Sequence, residues 1–319
     1  MPEEDPVSTT VPQFSVIIAV YNDWVRLKDC LGSLGQQANS PGFEVIVVDD
    51  GSSETAPRFI QQWASQHLLT IVRQSHAGIP TARNRGVQIA KGPILVFADA
   101  DCRFQTECLA ALRSAVANSP HGCFQLHLVG NRATLVGKSE ELRLITLQNH
   151  MLQPNGCVRY LNTAGFAIRR AEVDVGNRLF DPTVPRGEDT LLLVNLMQKG
   201  ELPFFVTEAI VQHITPLSVI QCLRKDIRSA YLEGRAYDII VSKGVHIRVK
   251  HRERFQMLLD MWRASATPTI GRAAWFVLVT RQLLQRITSL ACWCLRIRPA
   301  SPVLKDGLTD PRQSRVNGR

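Results

Sequence analysis

Two carboxylates one residue apart, Asp99 and Asp101, stand directly after the apolar run Ile94-Leu95-Val96-Phe97, which itself follows Gly92-Pro93. An apolar run bounded by Gly-Pro reads as a buried strand. In open α/β sheets, ligands bind at the carboxyl ends of the strands. Two carboxylates at such an end can hold a hard divalent cation, and that cation can hold a diphosphate. Other polar groups close other strands in the same way. Tyr21 follows the run 14–20, and Asp49-Asp50-Gly51-Ser52 follows the run 43–48. A ring that can stack on a base, carboxylates that can accept from base or ribose, and carboxylates for a metal make a nucleotide site. Taken singly, each has a plainer reading: an aromatic packed at a strand end, a helix-capping turn, a solvated acidic turn.

These groups need a scaffold that brings strand ends to one edge. The run 14–20 is rich in β-branched residues and reads as a strand. Asn22 or Asp23 can cap a helix over 24–37, whose Leu27, Leu31 and Leu34 share a face. A strand over 43–48, a helix over 54–66, a strand over 68–73 and a helix over 81–90 lead to the strand at 94. This alternation predicts an α/β fold, a mostly parallel sheet with helices on both faces. Beyond it, 106–118 reads as a helix, 121–130 as a strand region and 137–152 as a helix, with acceptor-facing loops expected within 130–161. No G-x-G-x-x-G follows the first strand and no G-x-x-x-x-G-K-[ST] occurs. That argues against nicotinamide, flavin and P-loop chemistry.

Four segments in register carry a family resemblance: Val16-Ile17-Ile18-Ala19-Val20-Tyr21-Asn22, Val47-Val48-Asp49-Asp50-Gly51-Ser52, Ala82-Arg83-Asn84-Arg85-Gly86 and Asp99-Ala100-Asp101. Together they resemble glycosyltransferase family two, with its Rossmann-like GT-A type of fold, over about residues 14–215. The resemblance implies a nucleoside-diphosphate sugar donor (a UDP-sugar favoured), Mn²⁺ or Mg²⁺, and inversion at the anomeric carbon. By position, Tyr21 resembles the residue that stacks on the donor base, and Asp50 the carboxylate that accepts from the base. Arg83 resembles a donor-site arginine, Asp99 the ribose contact and Asp101 the direct metal ligand. The segment 161–170 looks like the family's lining of the donor sugar, where Ala164 and Gly165 would let the sugar approach the backbone.

Gly187-Glu188-Asp189 matches the family's acidic motif at a helix start. Inversion needs a base to take the acceptor hydroxyl's proton, and a helix N-terminus holds a carboxylate still and ionised. Asp189 is therefore the expected base, and Glu188 orients the acceptor or the loop. Leu191 and Asn195 stand where many members carry an acid and an arginine. His213, ending a short strand at 206–213, matches a family histidine that ligates the metal or touches the diphosphate. Gln221-Cys222-Leu223-Arg224-Lys225 partly resembles the Q-x-x-R-W of processive synthases, but Lys225 replaces the tryptophan. Transfer of a single sugar is the expectation, in polysaccharide, lipid-linked glycan or glycolipid synthesis.

The last third differs in charge. Residues 216–319 hold 19 Lys+Arg against 7 Asp+Glu, a net +12, so the preceding residues net −3 within the chain's total of +9. This predicts a basic helical extension over 216–300 with an anionic surface as partner. Within it, 218–241 reads as a long helix and 243–252 as a basic cluster. A helix over 273–297 sets Arg281, Gln282, Gln285, Arg286 and Ser289 against Phe276, Val279, Leu283, Ile287, Leu290 and Cys294. Such a helix can lie in a bilayer interface, pack on the core or form a homodimer contact. No apolar run reaches the ~18 residues of a membrane span. The acidic, proline-rich Met1–Pro6 is expected to be a tail rather than a signal peptide, with disordered tails at 1–13 and 301–319. Eight cysteines without C-x-x-C pairs suggest free thiols in a reducing compartment, hence a cytoplasmic protein, peripheral on a membrane.

Three other readings remain to be distinguished. One is a catalytically silent scaffold that binds sugar nucleotide. Another is a sugar-nucleotide pyrophosphorylase, which would need a glycine- and arginine-rich loop where Tyr21-Asn22-Asp23 stands. A nucleic-acid binder lacks aromatic interleaving and any recognised module.

Overall fold

The computed structural model describes residues 11–173, 178–214, 218–243 and 251–295, without the side chains of Arg235 and His251. The tails expected at 1–13 and 301–319 fall almost wholly outside these residues, as does most of the basic cluster at 243–252.

Strand β1 (Phe14–Val20) is central because it has no solvent-facing side: Val16, Ile17 and Ile18 are fully buried. It pairs in parallel with β2 (Phe43–Asp49) and β4 (Ile94–Asp99), and β2 pairs in parallel with β3 (Leu69–Arg73). Successive residues of β1 point to opposite faces. Val16 and Ile18 pack with Leu27 and Leu31 of α1 (Trp24–Gly35) and Leu109 of α4 (Cys108–Asn118). Ile17 packs on the other face with Ala82 and Val87 of α3 (Ile79–Ile89) and Leu192 of α6 (Glu188–Gln198). Gly86 lets α3 come this close, because a Cβ there would lie 2.3 Å from Ile17 Cγ2. The short α2 (Arg58–Ala64) begins four residues later than the sequence suggests, after the non-helical Pro57.

The rest of the sheet is mixed. β7 (Phe166–Arg169) runs antiparallel to β4 and to β6 (Cys123–Gly130). β8 (Phe204–His213) pairs in parallel with β6 and antiparallel with β5 (Cys102–Phe104). The order is β3-β2-β1-β4-β7-β6-β8-β5. The architecture is α/β, with helices on both faces and a C-terminal helical extension, as expected. Among β1 to β4 every pairing is parallel, and the antiparallel pairs all involve β5 or β7.

α5 (Leu135–Met151) occupies much of the region expected to be loops. It begins two residues early, where Thr134 caps it by accepting from Gly137 N. α7 (Val219–Ser242) starts with a capping box between Ser218 and Gln221. α8 (His251–Ala264) and α9 (Arg272–Cys294) follow. Met261, Ile270, Ala274 and Leu278 pack on Leu142 of α5, and Ala236 and Ile240 of α7 pack on Leu191 and Val194 of α6. The extension is thereby joined to the sheet domain through α5 and α6.

Candidate active site

Strand register decides which carboxylates meet. Val20 lies opposite Asp49, and Ala19 lies opposite Asp99, so the ends of β1, β2 and β4 form one edge. The chain then turns through Ala100 and Asp101 into β5. Antiparallel pairing sets Cys102 opposite His213, which delivers the histidine to Asp101. His213 Nε2 is 3.4 Å from Asp101 Oδ1, and Arg26 of α1 is 3.5 Å from the other oxygen. One ligand atom each from Asp99, Asp101 and His213 lies within 4.8 Å of the others. Two carboxylate oxygens and an imidazole nitrogen in that space suit Mn²⁺ or Mg²⁺, which take oxygen-rich sets with bonds of about 2.1 Å. Burial opposes a charge on His213, but the hydrogen bond and charge of Asp101, with Glu140 and Asp99, outweigh it and raise its pKa. Burial likewise opposes ionisation of Asp101. His213, Arg26 and Lys225 together overcome this and hold its pKa below the usual carboxylate range.

Arg83 links the end of β4 to the first turn of α6. Its guanidinium donates to Asp99 Oδ1 and to Glu188 Oε1, each at 2.7 Å, and it lies 5.5 Å from the centroid of the Phe180 ring. Next to it, Asn84 clamps the segment before α6: its Nδ2 donates to Phe180 O at 2.7 Å, and its Oδ1 accepts from Leu179 N and Phe180 N. Asn84 is buried, 6% exposed.

Gly187 caps α6 with φ +82, in the left-handed region that favours glycine, and a Cβ there would lie 3.0 Å from that of Ala236. Asp189 follows in the first turn, half-buried, with Oδ1 accepting from Thr190 N at 2.7 Å. Burial, then the charge of Glu188, pushes its pKa up to about 6. The helix N-terminus favours the ionised form, and a pKa of about 6 leaves the group ionised at neutral pH, in the range that suits a general base. Leu191, at one of the two positions where the family pattern suggests an ion network, packs instead with Ala236 and Ile240 of α7.

Arg83, Asp99, Glu188, Asp189 and His213 all line one cleft of about 640 Å³. The sequence reading did not anticipate its far wall. Arg143 pairs with Glu140 at 2.5 Å, and Arg281 of α9 pairs with Asp226 of α7 at 2.7 Å and lies 3.7 Å from Glu140. These partners sit 55 residues or more apart across three helices, so only the Glu140–Arg143 spacing was visible as a helical i,i+3 pair. The extension is therefore part of the cleft.

Tyr21 and Asp50 do not line this cleft. They stand at the neighbouring strand ends, where a loop over 74–78 covers them. The Tyr21 ring is half exposed and stacks on His76 at 4.3 Å between centroids. Asp50 accepts from Gln74 Nε2, Ala77 N and Gly78 N at 2.8–2.9 Å and lies 2.9 Å from His76 Nδ1. Four partners fill a carboxylate's acceptor sites. His76 had no sequence signal of its own. The small residues Ala164 and Gly165 do not face the cleft either. Both are buried, and a Cβ on Gly165 would lie 2.7 Å from Leu128 Cδ2, so close packing on β6 accounts for that glycine. Tyr160, Leu161, Asn162 and Thr163 line the cleft instead.

Comparison with known proteins agrees with this geometry. The sequence model described as glycosyl transferase family 2 matches residues 15–173. The glycosyltransferase EpsJ of Bacillus subtilis (strain 168) is 29% identical over 207 residues, 60% of this chain and 58% of that protein. The glycosyltransferase AglE of Haloferax volcanii is 33% identical over 99 residues, 30% of this chain and 33% of AglE. The chain thus spans about a third to three-fifths of the length of these relatives. Among solved structures, the mannosyltransferase PcManGT from Pyrobaculum calidifontis, in complex with GDP-Man and Mn²⁺, superposes with a TM-score of 0.58 at 18% identity, covering 88% of each chain. S. aureus TarS 1-349 in complex with UDP-GlcNAc gives 0.53 at 17% identity, again covering 88% of each. These likenesses show a shared fold.

Proposed function

The chain belongs to glycosyl transferase family 2 through its residues 15–173, and on that footing we propose that it moves one sugar from a nucleoside-diphosphate sugar to an acceptor hydroxyl with inversion. The observation that carries this reading is that Asp99 and His213, which group with Asp101, line a single cleft together with Asp189, whose pKa is raised to about 6. UDP- and GDP-sugars are the first donors to consider, because structural neighbours were solved with UDP-GlcNAc and with GDP-Man.

In this proposal Asp101 and His213 hold Mn²⁺ or Mg²⁺, with Asp99 beside them at the ribose. A bound divalent ion supplies positive charge for the departing diphosphate. Tyr21 and Asp50, with the 74–78 loop they hold, form the base end of the donor site. Arg83 holds Asp99 and Glu188 in place through its two hydrogen bonds. Asp189 accepts the proton of the acceptor hydroxyl, which approaches from the α6 side of the cleft. Inversion fits a single displacement with one base and no second carboxylate acting as nucleophile. We further propose a glycan or lipid-linked acceptor and a cytoplasmic enzyme attached peripherally to a membrane. The eight thiols, all unpaired, fit a reducing compartment, and the net +12 of residues 216–319 fits an anionic surface. No helix among the described residues is long and apolar enough to cross a membrane.

A screen of UDP-, GDP- and dTDP-sugars for thermal stabilisation, with and without Mn²⁺, tests the donor reading. Binding to the native state raises stability by mass action, by about 2.7 kcal/mol at a hundredfold excess over Kd. One nucleotide class should stand out, and more so with metal. The absence of any shift across the panel would remove the reading.

A further inference from the structure

We infer that the outward face of α8 and α9 is the surface that meets an anionic phospholipid bilayer, with one headgroup seated in the groove between the two helices. This rests on the proposed peripheral attachment and names the part of the molecule that makes it.

A helix on a globular domain normally buries its whole apolar stripe, whereas α9 buries only Ala274 and Leu278 of its apolar residues. Its inner side carries Arg281, bound to Asp226, and Gln285, bound to Glu233 at 3.2 Å. Its outer side carries Phe276, Leu283, Ile287 and Leu290, at spacings of seven, four and three residues. All four are more than half exposed. α8 extends the same patch. Phe255 and Trp262 are seven residues apart on one face, 63% and 39% exposed, and the Trp262 ring meets Phe276 edge-on at 6.3 Å. Trp293, also 63% exposed, stands near the end of α9. Exposed tryptophans at the margin of an apolar band suit a membrane–water interface.

Between the two helices lies a groove of about 390 Å³. Met257, Leu258 and Met261 form its floor, and Arg254 and Arg286 stand at its rim. Neither arginine has an ion-pair partner among the described residues. Guanidinium forks match phosphate oxygens, and unbranched methionines adapt to an acyl chain. Cations above an apolar floor therefore fit an anionic phospholipid in one orientation: phosphate at the rim, chain on the floor.

Charge decides between lipid and a second copy of this chain. A two-fold contact would set the same basic face against itself, whereas an anionic bilayer is complementary to it. There is a geometric consequence for catalysis. The inner side of α9 walls the catalytic cleft through Arg281 and Gln285, and a helix with its side chains is about 10 Å across. A bilayer on the outer face therefore lies about one helix diameter from the cleft, close enough for an acceptor held in the membrane to reach Asp189 through a short headgroup.

The test is flotation of the full chain with vesicles of phosphatidylcholine alone and with phosphatidylglycerol added, at low and high salt. Two double variants are compared, Leu283→Glu with Ile287→Glu, and Arg254→Glu with Arg286→Glu. All four positions are exposed, and an unchanged donor-induced thermal shift checks that each variant is folded and that the donor site is unaffected. The wild type should float with the anionic vesicles only. The arginine pair should lower partitioning by about tenfold or more at low salt, and the leucine–isoleucine pair should remove the part that survives high salt. Flotation of both variants equal to wild type would overturn the assignment of this face and leave peripheral attachment standing. No flotation of the wild type would remove both. A concentration-dependent dimer in light scattering, dissociated by the leucine–isoleucine variant while flotation persists, would make the face a contact between copies.

Discussion

Arg83 and Glu188 lie 105 residues apart in the chain and are joined by a 2.7 Å hydrogen bond in which both side chains are almost wholly buried. The same guanidinium holds Asp99. One side chain thus couples the end of β4, where the donor is expected, to the first turn of α6, which carries the proposed base Asp189. Burying the charges of Arg83 and Glu188 this way is costly unless each is paired.

Removing the arginine should therefore cost more than the hydrogen bonds alone. Arg83→Met leaves Glu188 buried without a partner, a loss of about 3–5 kcal/mol in folding stability. The double variant with Glu188→Gln should recover part of that loss, because the orphaned charge is gone too. Denaturant unfolding of the two single variants and the pair measures this. Additive losses would show that the two residues are not energetically coupled.

Asp101→Ala should abolish turnover together with the metal-dependent part of donor affinity. The residue is expected to be the direct ligand, and its removal leaves His213 without its carboxylate and Arg26 without one of its two. The measurement is the donor-induced thermal shift with and without Mn²⁺, beside transfer assays. A variant that keeps metal-stimulated transfer would place the ion elsewhere.

What the sequence made legible followed from local signals. The β-branched run 14–20, the acids after 43–48 and the pair at 99 and 101 each announce a strand and its polar end, so the donor edge could be read directly. β5 could not, because three residues, Cys102–Phe104, form a strand only through pairing with a partner more than a hundred positions away. Residue 191 shows a different limit. A leucine there looked like a gap in an ionic pattern, and only the packing of Leu191 with Ala236 and Ile240 shows that apolar contact fills the place. The far wall of the cleft depended on Arg281, Asp226 and Glu140 meeting across three helices. No periodicity in any one helix records such a meeting. The amphipathic pattern of α9 was visible, but not which side faced inward. That depended on acids in α5 and α7 waiting for Arg281.

Asp189→Asn should lower kcat by about 10²–10⁴-fold while donor affinity stays near wild type. The amide keeps the shape and can still accept from Thr190 N, but it cannot take the acceptor's proton. In the wild-type enzyme, kcat/KM should fall as pH drops through about 6, because a base must be unprotonated to act and this one is raised to about that value. The residual rate of the variant should lack that limb. Loss of donor binding in step with rate would make Asp189 structural.

The same substitution should make the protein more stable at neutral pH. Burial and the neighbouring Glu188 raise the Asp189 pKa from its ordinary 3.8 to about 6. The folded state therefore binds this proton more tightly than the unfolded chain does. Between about pH 4 and pH 6, folding takes up a proton, and the linkage relation then makes stability fall as pH rises through that window. Above it, the ionised carboxylate is a standing cost of holding a tuned base against its environment. The amide of the Asp189→Asn variant carries no charge, so that protein escapes the cost. A shift of about two units corresponds to at most ~3 kcal/mol, and partial access of water to the side chain reduces the expected gain to the order of 1 kcal/mol. Thermal or denaturant unfolding of both proteins at pH 4 and pH 7.5 measures it. The advantage of the variant should be near zero at the lower pH and present at the higher. An equal difference at both pH values would mean that the effect is one of packing, and that Asp189 is not the strained ionised group on which the assignment of the base depends.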